Sequence, residues 1–110
     1  MMMTLIKNST LSEQELELRR LYKPVLNPEE LRVLAYAKVL EKPEIDGKFE
    51  PFERLILKTS SGYRQTKTKS FIRDFDSVVS LMGIPVTITV LERETDIDGK
   101  KIKYPTLSIG

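Results

Sequence analysis

The sequence of 110 residues contains no cysteine, no histidine and no tryptophan. Without cysteine, the chain can form no disulfide and has no thiolate to act as a nucleophile or to hold zinc or an iron–sulfur cluster. Without histidine, it lacks the usual general base near neutral pH and the commonest metal ligand. These absences leave little chemistry for a hydrolytic or metal-dependent enzyme.

Sequence features of catalysis and of membrane insertion are also missing. The chain has no phosphate-cradling glycine loop, no nucleophile elbow and no calcium-loop spacing. No run approaches the roughly 18 apolar residues of a membrane span, and residues 1–8 lack the apolar core of a signal peptide. We therefore expect a protein that is not an enzyme, needs no cofactor or metal, contacts no membrane and lies in the cytoplasm, or in the host cytoplasm if it is viral.

The charges are segregated along the chain, although 18 basic and 16 acidic residues give a net charge of only +2. One acid-free segment carries six basic residues, namely Arg54, Lys58, Arg64, Lys67, Lys69 and Arg73. A second acid-free segment, from Gly99 to the end of the sequence, adds Lys100, Lys101 and Lys103. This distribution predicts a locally basic face that attracts an anionic partner.

The pattern near the start of the chain predicts an amphipathic helix. Ser12 and Glu15 have the spacing of a capping box, and leucines follow at helical intervals. Pro24 makes Tyr22 or Lys23 the expected last residue of this helix. The helix can pack on the rest of the protein, or it can pair with a second copy to form a homodimer, and the sequence does not decide between these roles.

The rest of the chain predicts strands around one further helix. The segment from Arg32 to Glu41 is apolar on both faces of a strand and also contains good helix formers, so its periodicity fits either structure. We favour a strand, because the later strands need a partner. The later elements are strands at Phe52–Thr59, Tyr63–Lys69, Val86–Leu91 and Lys101–Ile109, and a helix between Ser70 and Gly83. Asp98-Gly99 predicts a tight hairpin turn.

The order of these elements resembles the OB-fold superfamily, because three strands, a helix and two strands follow one another over residues 31–110. The resemblance implies a mainly β fold with helices (α+β): a five-stranded OB-like Greek-key barrel with a helix between strands three and four, preceded by the N-terminal amphipathic helix. The chain would then be one domain, with an N-terminal helical extension over residues 1–30 and the barrel over residues 31–110.

The resemblance also implies where a ligand lies, namely across strands two and three and beside the loops at Glu41–Pro51 and Thr95–Lys101. The basic segment falls on those strands. A protein that holds a single strand needs cations for the phosphates and flat side chains for the bases. The candidate nucleic-acid-binding residues are Tyr36, Lys38, Arg54, Lys58, Tyr63, Arg64, Gln65, Lys67, Lys69, Lys101, Lys103 and Tyr104. For each tyrosine, a half-buried structural role is as good an interpretation as base stacking.

The first functional hypothesis is therefore a small cytoplasmic protein, of viral or archaeal type, that binds single-stranded DNA or RNA with little sequence specificity. DNA is the preferred ligand in this hypothesis. The alternative is a phage or viral adaptor or inhibitor that docks its basic face on an acidic protein. A third hypothesis is a subunit of a larger nucleoprotein assembly. A hairpin whose lysines only prevent edge-to-edge aggregation is the plain structural explanation of the same residues.

Overall fold

In the computed structural model, which describes residues 2–25, 28–42 and 50–109, seven strands form one curled mixed sheet that carries two α-helices. The strands are β1 (Met2–Asn8), β2 (Lys23–Pro24), β3 (Glu29–Lys42), β4 (Phe52–Thr59), β5 (Gly62–Thr66), β6 (Val86–Ile97) and β7 (Lys100–Ile109). The helices are α1 (Glu13–Glu17) and α2 (Lys69–Met82). The strands follow the order β2-β5-β4-β3-β6-β7, and β1 also pairs with β3.

The long strand β3 organises this sheet because it pairs with three other strands. One edge of β3 pairs antiparallel with β4. The other edge pairs antiparallel with β6 over Glu29–Val33 and then with β1 over Ala37–Lys42. A register shift between Val33 and Ala35 separates the two halves of β3. The pairing of β3 is irregular at this point, and β6 and β1 pair with successive parts of the same edge of β3.

Both faces of β3 and β4 are buried, each under a different part of the chain. On one face, α2 packs Phe71 and Phe75 into a core that includes Leu55 and Leu57 of β4. On the other face, residues 9–22, which we call the covering segment, pack over a second core. That second core consists of Leu11, Leu16, Ala35, Ala37, Val39 and Ile56. The strand predicted at Arg32–Glu41 is confirmed, and its lack of a polar face follows from burial on both sides.

The helix predicted between Ser70 and Gly83 is confirmed as α2. Its buried residues are Phe71, Ile72, Phe75 and Val78. The helix begins at Lys69, two residues earlier than a cap at Ser70 would place it, and Thr68 is its N-cap residue. Gly83, with a φ of 70°, ends the helix as predicted, because a positive φ is easily adopted only without a side chain.

The predicted five-stranded barrel preceded by an N-terminal amphipathic helix is wrong, because seven strands are present and the first described element is the strand β1. The predicted capping box is confirmed, but α1 ends at Glu17 and a 3-10 turn follows at Arg19–Leu21. At this point the Arg19 guanidinium donates to the Leu16 carbonyl and to Glu41 on β3. These tertiary contacts hold the chain against the sheet and override the local helical pattern.

The strands β6 and β7 are longer than the sequence predicts and form a two-stranded ribbon. Beyond Val90, β6 pairs with β7 alone, in register from Ile88 to Ile97. Asp98 and Gly99 join the strands with positive φ values of 51° and 76°, as in a type I′ turn, so the predicted hairpin turn is confirmed. We call residues 91–106 the ribbon.

Candidate nucleic-acid interface

The centre of the predicted binding face is a buried ion network. Arg54 Nε donates to Glu41 Oε2 over 2.6 Å, and Arg54 Nη1 donates to Gln65 Oε1 over 2.8 Å. Arg19 of the covering segment donates to the other oxygen of Glu41. Glu41 is fully buried and Arg54 is 6% exposed. Burial alone would raise the pKa of Glu41, but the hydrogen bonds from both guanidinium groups outweigh it and lower that pKa. Arg54 is therefore buried against side chains of this protein, and Gln65, which is half-buried, is its partner.

A second network joins the covering segment to Lys58 and Tyr63, beside the turn between β4 and β5. The Tyr22 ring stacks on the Tyr63 ring, with 4.5 Å between centroids and 12° between planes. Glu15 accepts the Tyr63 hydroxyl and lies 3.3 Å from Lys58 Nζ. The hydrogen bond from Tyr63, followed by that from the Ser12 amide, lowers the pKa of Glu15 to about 2. The same hydrogen bond raises the pKa of Tyr63. The aromatic ring predicted to stack on a base is thus stacked on Tyr22.

Three more predicted binding residues lie on the α2 side of the sheet, away from the covering segment. Arg64 is buried and pairs with Glu29, with 3.2 Å between Arg64 Nε and Glu29 Oε1. Lys38 Nζ lies 2.7 Å from Asp76 Oδ2, and this hydrogen bond raises the pKa of Lys38. Tyr36 is buried with its ring edge-on to Phe75 at 5.3 Å. None of the three side chains lies on the face of the sheet that the covering segment packs over.

Three other predicted binding residues, Lys101, Lys103 and Tyr104, lie on the ribbon. Lys101 and Lys103 stand opposite Asp96 and Glu94 in the β6–β7 register. Tyr104 points to the other face of the ribbon, opposite Arg93. Of the two loops expected beside the ligand, Thr95–Lys101 is the end of the ribbon. Residues 43–49 of the Glu41–Pro51 loop lie outside the described residues.

The structure instead brings together an aromatic ring and three cations at the start of β4 and α2. Phe52 is half-buried, and Lys67 Nζ lies 5.1 Å from the centroid of its ring. Beside it, a cleft of about 900 Å³ is lined by Leu40, Pro51, Phe52, Glu53, Lys69, Ser70, Ile72, Arg73, Asp76 and Ser77. We call this cleft, with Lys67 at its margin, the Phe52 cleft. Its residues come from three separated segments, so spacing along the chain could not place Arg73 beside Phe52.

The cations of the Phe52 cleft are less fully paired with acids than the cations under the covering segment. In the part of the chain that the structure describes, Lys67 and Lys69 form no ion pair. Arg73 makes an exposed contact of 3.5 Å with its neighbour Asp74. Asp76, one of the two acids in the lining, is held by Lys38. The cleft therefore presents cations that an anionic ligand can reach.

Comparison with family models, with curated proteins and with solved structures finds no match for this chain. The resemblance to the OB-fold superfamily therefore stays a prediction from the order of elements. Neither α1 nor α2, the helices in the described residues, has the length and apolar composition needed to cross a membrane.

Proposed function

We propose that this protein binds single-stranded nucleic acid with little sequence specificity, through the Phe52 cleft and not along the whole β4–β5 face. The observation that supports the proposal is the group of reachable cations around a half-buried aromatic ring. Lys67 lies against Phe52, while Lys69 and Arg73 stand one helical turn apart on α2. Arginine and lysine can neutralise phosphates, and an aromatic ring can stack on a base of any sequence.

The small size of this surface predicts weak binding with a modest dependence on salt. About three cations can each meet one phosphate, and on single strands each contact contributes about −0.7 to the slope of log affinity against log salt concentration. The expected slope is therefore about −2. Affinity should fall about 16-fold between 50 and 200 mM salt, a smaller loss than a groove spanning many nucleotides would show.

Fluorescence anisotropy with labelled oligothymidylate, single-stranded RNA and duplex DNA tests the proposal. The variant K67E/K69E should lose at least tenfold in affinity for the single strands, and Phe52→Ala should lose roughly fivefold or more through lost stacking. The matched control K101E/K103E changes the same charges on the ribbon and should bind like the wild type. Circular dichroism checks that each variant is folded.

Binding that ignores salt, or that survives K67E/K69E, would contradict a nucleic-acid role for the cleft. If no oligonucleotide binds at all, the proposal fails as a whole. The alternative from the sequence, an adaptor that docks on an acidic protein, then becomes the better hypothesis, since the same cations would serve it.

A further inference from the structure

The two faces of the ribbon differ in chemistry. One face, which we call the outer face, carries Leu91, Arg93, Thr95 and Ile97 of β6 beside Lys100, Ile102, Tyr104 and Thr106 of β7. The opposite face carries Glu92, Glu94 and Asp96 beside Lys101, Lys103 and Pro105. The apolar side chains of the outer face are open to solvent: Leu91 is 38% exposed, Ile97 is 53% exposed and Ile102 is 44% exposed.

The opposite face of the ribbon is polar, and two of its three acids stand across from lysines in the strand register, while Glu92 stands across from Pro105. Glu94 stands directly across from Lys103, and Asp96 stands directly across from Lys101. Cross-strand pairs of opposite charge stabilise an antiparallel ribbon, whereas exposed aliphatic side chains do not. The outer face is the part of the ribbon whose composition the isolated chain does not explain.

Contact through the edge of the ribbon is disfavoured. The outer edge of β7 pairs with no other strand in the described part of the chain. However, β7 carries Lys101, Lys103 and Pro105, and these residue types prevent a further strand from adding to an edge. Beyond Val90 the other edge of the ribbon, on β6, is also unpaired in the described residues, and its charged residues Glu92, Glu94 and Asp96 likewise disfavour strand addition. The outer face is therefore the surface of the ribbon that is left for a partner.

We propose that the partner is a second copy of this chain, packed outer face to outer face about a two-fold axis. The axis lies in the plane of the contact, across the strands, between the Arg93–Tyr104 row and the Thr95–Ile102 row. The two ribbons then run in opposite directions, as in aligned sheet packing. Each β6 lies over the partner's β6, and each β7 lies over the partner's β7.

This arrangement matches the outer face to itself. Leu91 packs on the partner's Ile97, and Tyr104 packs on the partner's Ile102, so the aliphatic and aromatic side chains meet. Arg93 falls against the partner's Thr95, so the two Arg93 residues are offset from each other by two positions, about 7 Å, along the strands. A face that is complementary to its own copy after a two-fold rotation is what an isologous interface requires.

The area available predicts a weak, reversible dimer. From Thr89 to its end at Ile97, β6 spans roughly 27 Å, and two strands are roughly 12 Å wide. The contact therefore has a footprint of about 320 Å² on each copy, or about 650 Å² in total before the relief of the side chains is counted. This is smaller than the interface of a stable dimer, so the association should be weak and transient. We expect a dissociation constant in the micromolar range.

Sedimentation velocity and light scattering on the full chain, from 1 to 200 µM and without nucleic acid, measure this association. The mass should rise with concentration from 12.7 kDa toward twice that value. Ile97→Lys should shift the midpoint at least tenfold to higher concentration. The double variant L91D/I97K should recover most of that loss, because each introduced acid then faces the partner's introduced lysine. Within one chain these positions are six residues apart along β6, about 20 Å, so they cannot compensate each other.

Glu92→Lys, on the opposite face of the same ribbon, is the matched control and should associate like the wild type. A wild-type chain that stays monomeric at 200 µM would overturn the proposal, as would association that Ile97→Lys leaves unchanged. A double variant no better than Ile97→Lys would overturn the antiparallel arrangement. The substituted side chains are exposed, so unfolding temperatures near the wild-type value should accompany each result.

Discussion

Removal of the negative charge of Glu41 should destabilise this protein more than any surface substitution. In Glu41→Gln, the shape of the side chain is kept, but Arg19 and Arg54 lose the carboxylate that accepts three of their hydrogen bonds. An amide group would also turn a donor toward a guanidinium donor. Breaking a buried ion network from one side leaves uncompensated buried charge and costs about 3–5 kcal/mol.

The effect should be large in thermal unfolding. For 110 residues, the unfolding entropy is about 0.23 kcal/mol/K, so each kcal/mol lowers the melting temperature by about 4 °C. Glu41→Gln should therefore lower the midpoint by about 13–22 °C, measured by circular dichroism and by urea denaturation. Glu17→Gln, an exposed neutralisation in the covering segment, is the control and should change stability by less than about 0.5 kcal/mol.

A triple replacement separates the cost of a broken network from the value of the network itself. Arg19→Met, Glu41→Leu and Arg54→Met together remove all three charges and refill the space with apolar side chains. Such replacements are often neutral or stabilising, so the triple variant should be more stable than Glu41→Gln by about 2 kcal/mol or more. If Glu41→Gln costs less than about 1 kcal/mol, the network is not what holds the covering segment to the sheet.

Two further predictions concern the contacts of the covering segment. Tyr22→Ala removes the stack on Tyr63 together with the hydroxyl bond to the Glu15 carbonyl, and should cost about 2–3 kcal/mol in urea denaturation; Tyr22→Phe keeps the stack and should cost only about 1 kcal/mol. Equal losses in both variants would refute a role for stacking. Because the pKa of Glu15 is lowered from 4.5 to about 2, its stabilising contribution is present above pH 4.5 and is lost as the pH falls toward 2. The difference in unfolding free energy between the wild type and Glu15→Gln should therefore shrink over that pH range, and a difference that stays constant would contradict the assigned shift.

Local signals in the sequence predict the elements that depend on neighbouring residues. The capping box at Ser12, the apolar stripe of α2 and the turn at Asp98-Gly99 each arise within a few residues, and each is confirmed. The strand β1 has no such signal in its sequence, because its residues do not alternate between polar and apolar. In the structure its adjacent apolar residues Leu5 and Ile6 are both exposed. It becomes a strand by pairing with β3.

The availability of the basic residues could not be predicted, because their partners are distant in sequence. The acid-free segment suggests free cations, yet Glu41 reaches Arg54 from 13 residues away and Glu29 reaches Arg64 from 35 residues away. Glu15 comes from the covering segment, 48 residues before Tyr63. Segregation of charge along the chain therefore becomes pairing of charge in space for Arg54, Lys58 and Arg64. Lys67, Lys69 and Arg73, at the Phe52 cleft, keep the basic character that the composition suggests.

The sharing of one edge of β3 between β1 and β6 has a consequence during synthesis. A nascent chain can join β1 to β3 as soon as both have emerged from the ribosome. The stretch Glu29–Val33, however, waits for Val86–Val90, which follow 57 residues later. At about 5–20 residues per second the wait is roughly 3–11 s. During that time this edge of β3 is left without its partner strand, and a chaperone that shields extended segments would have its best opportunity to act there.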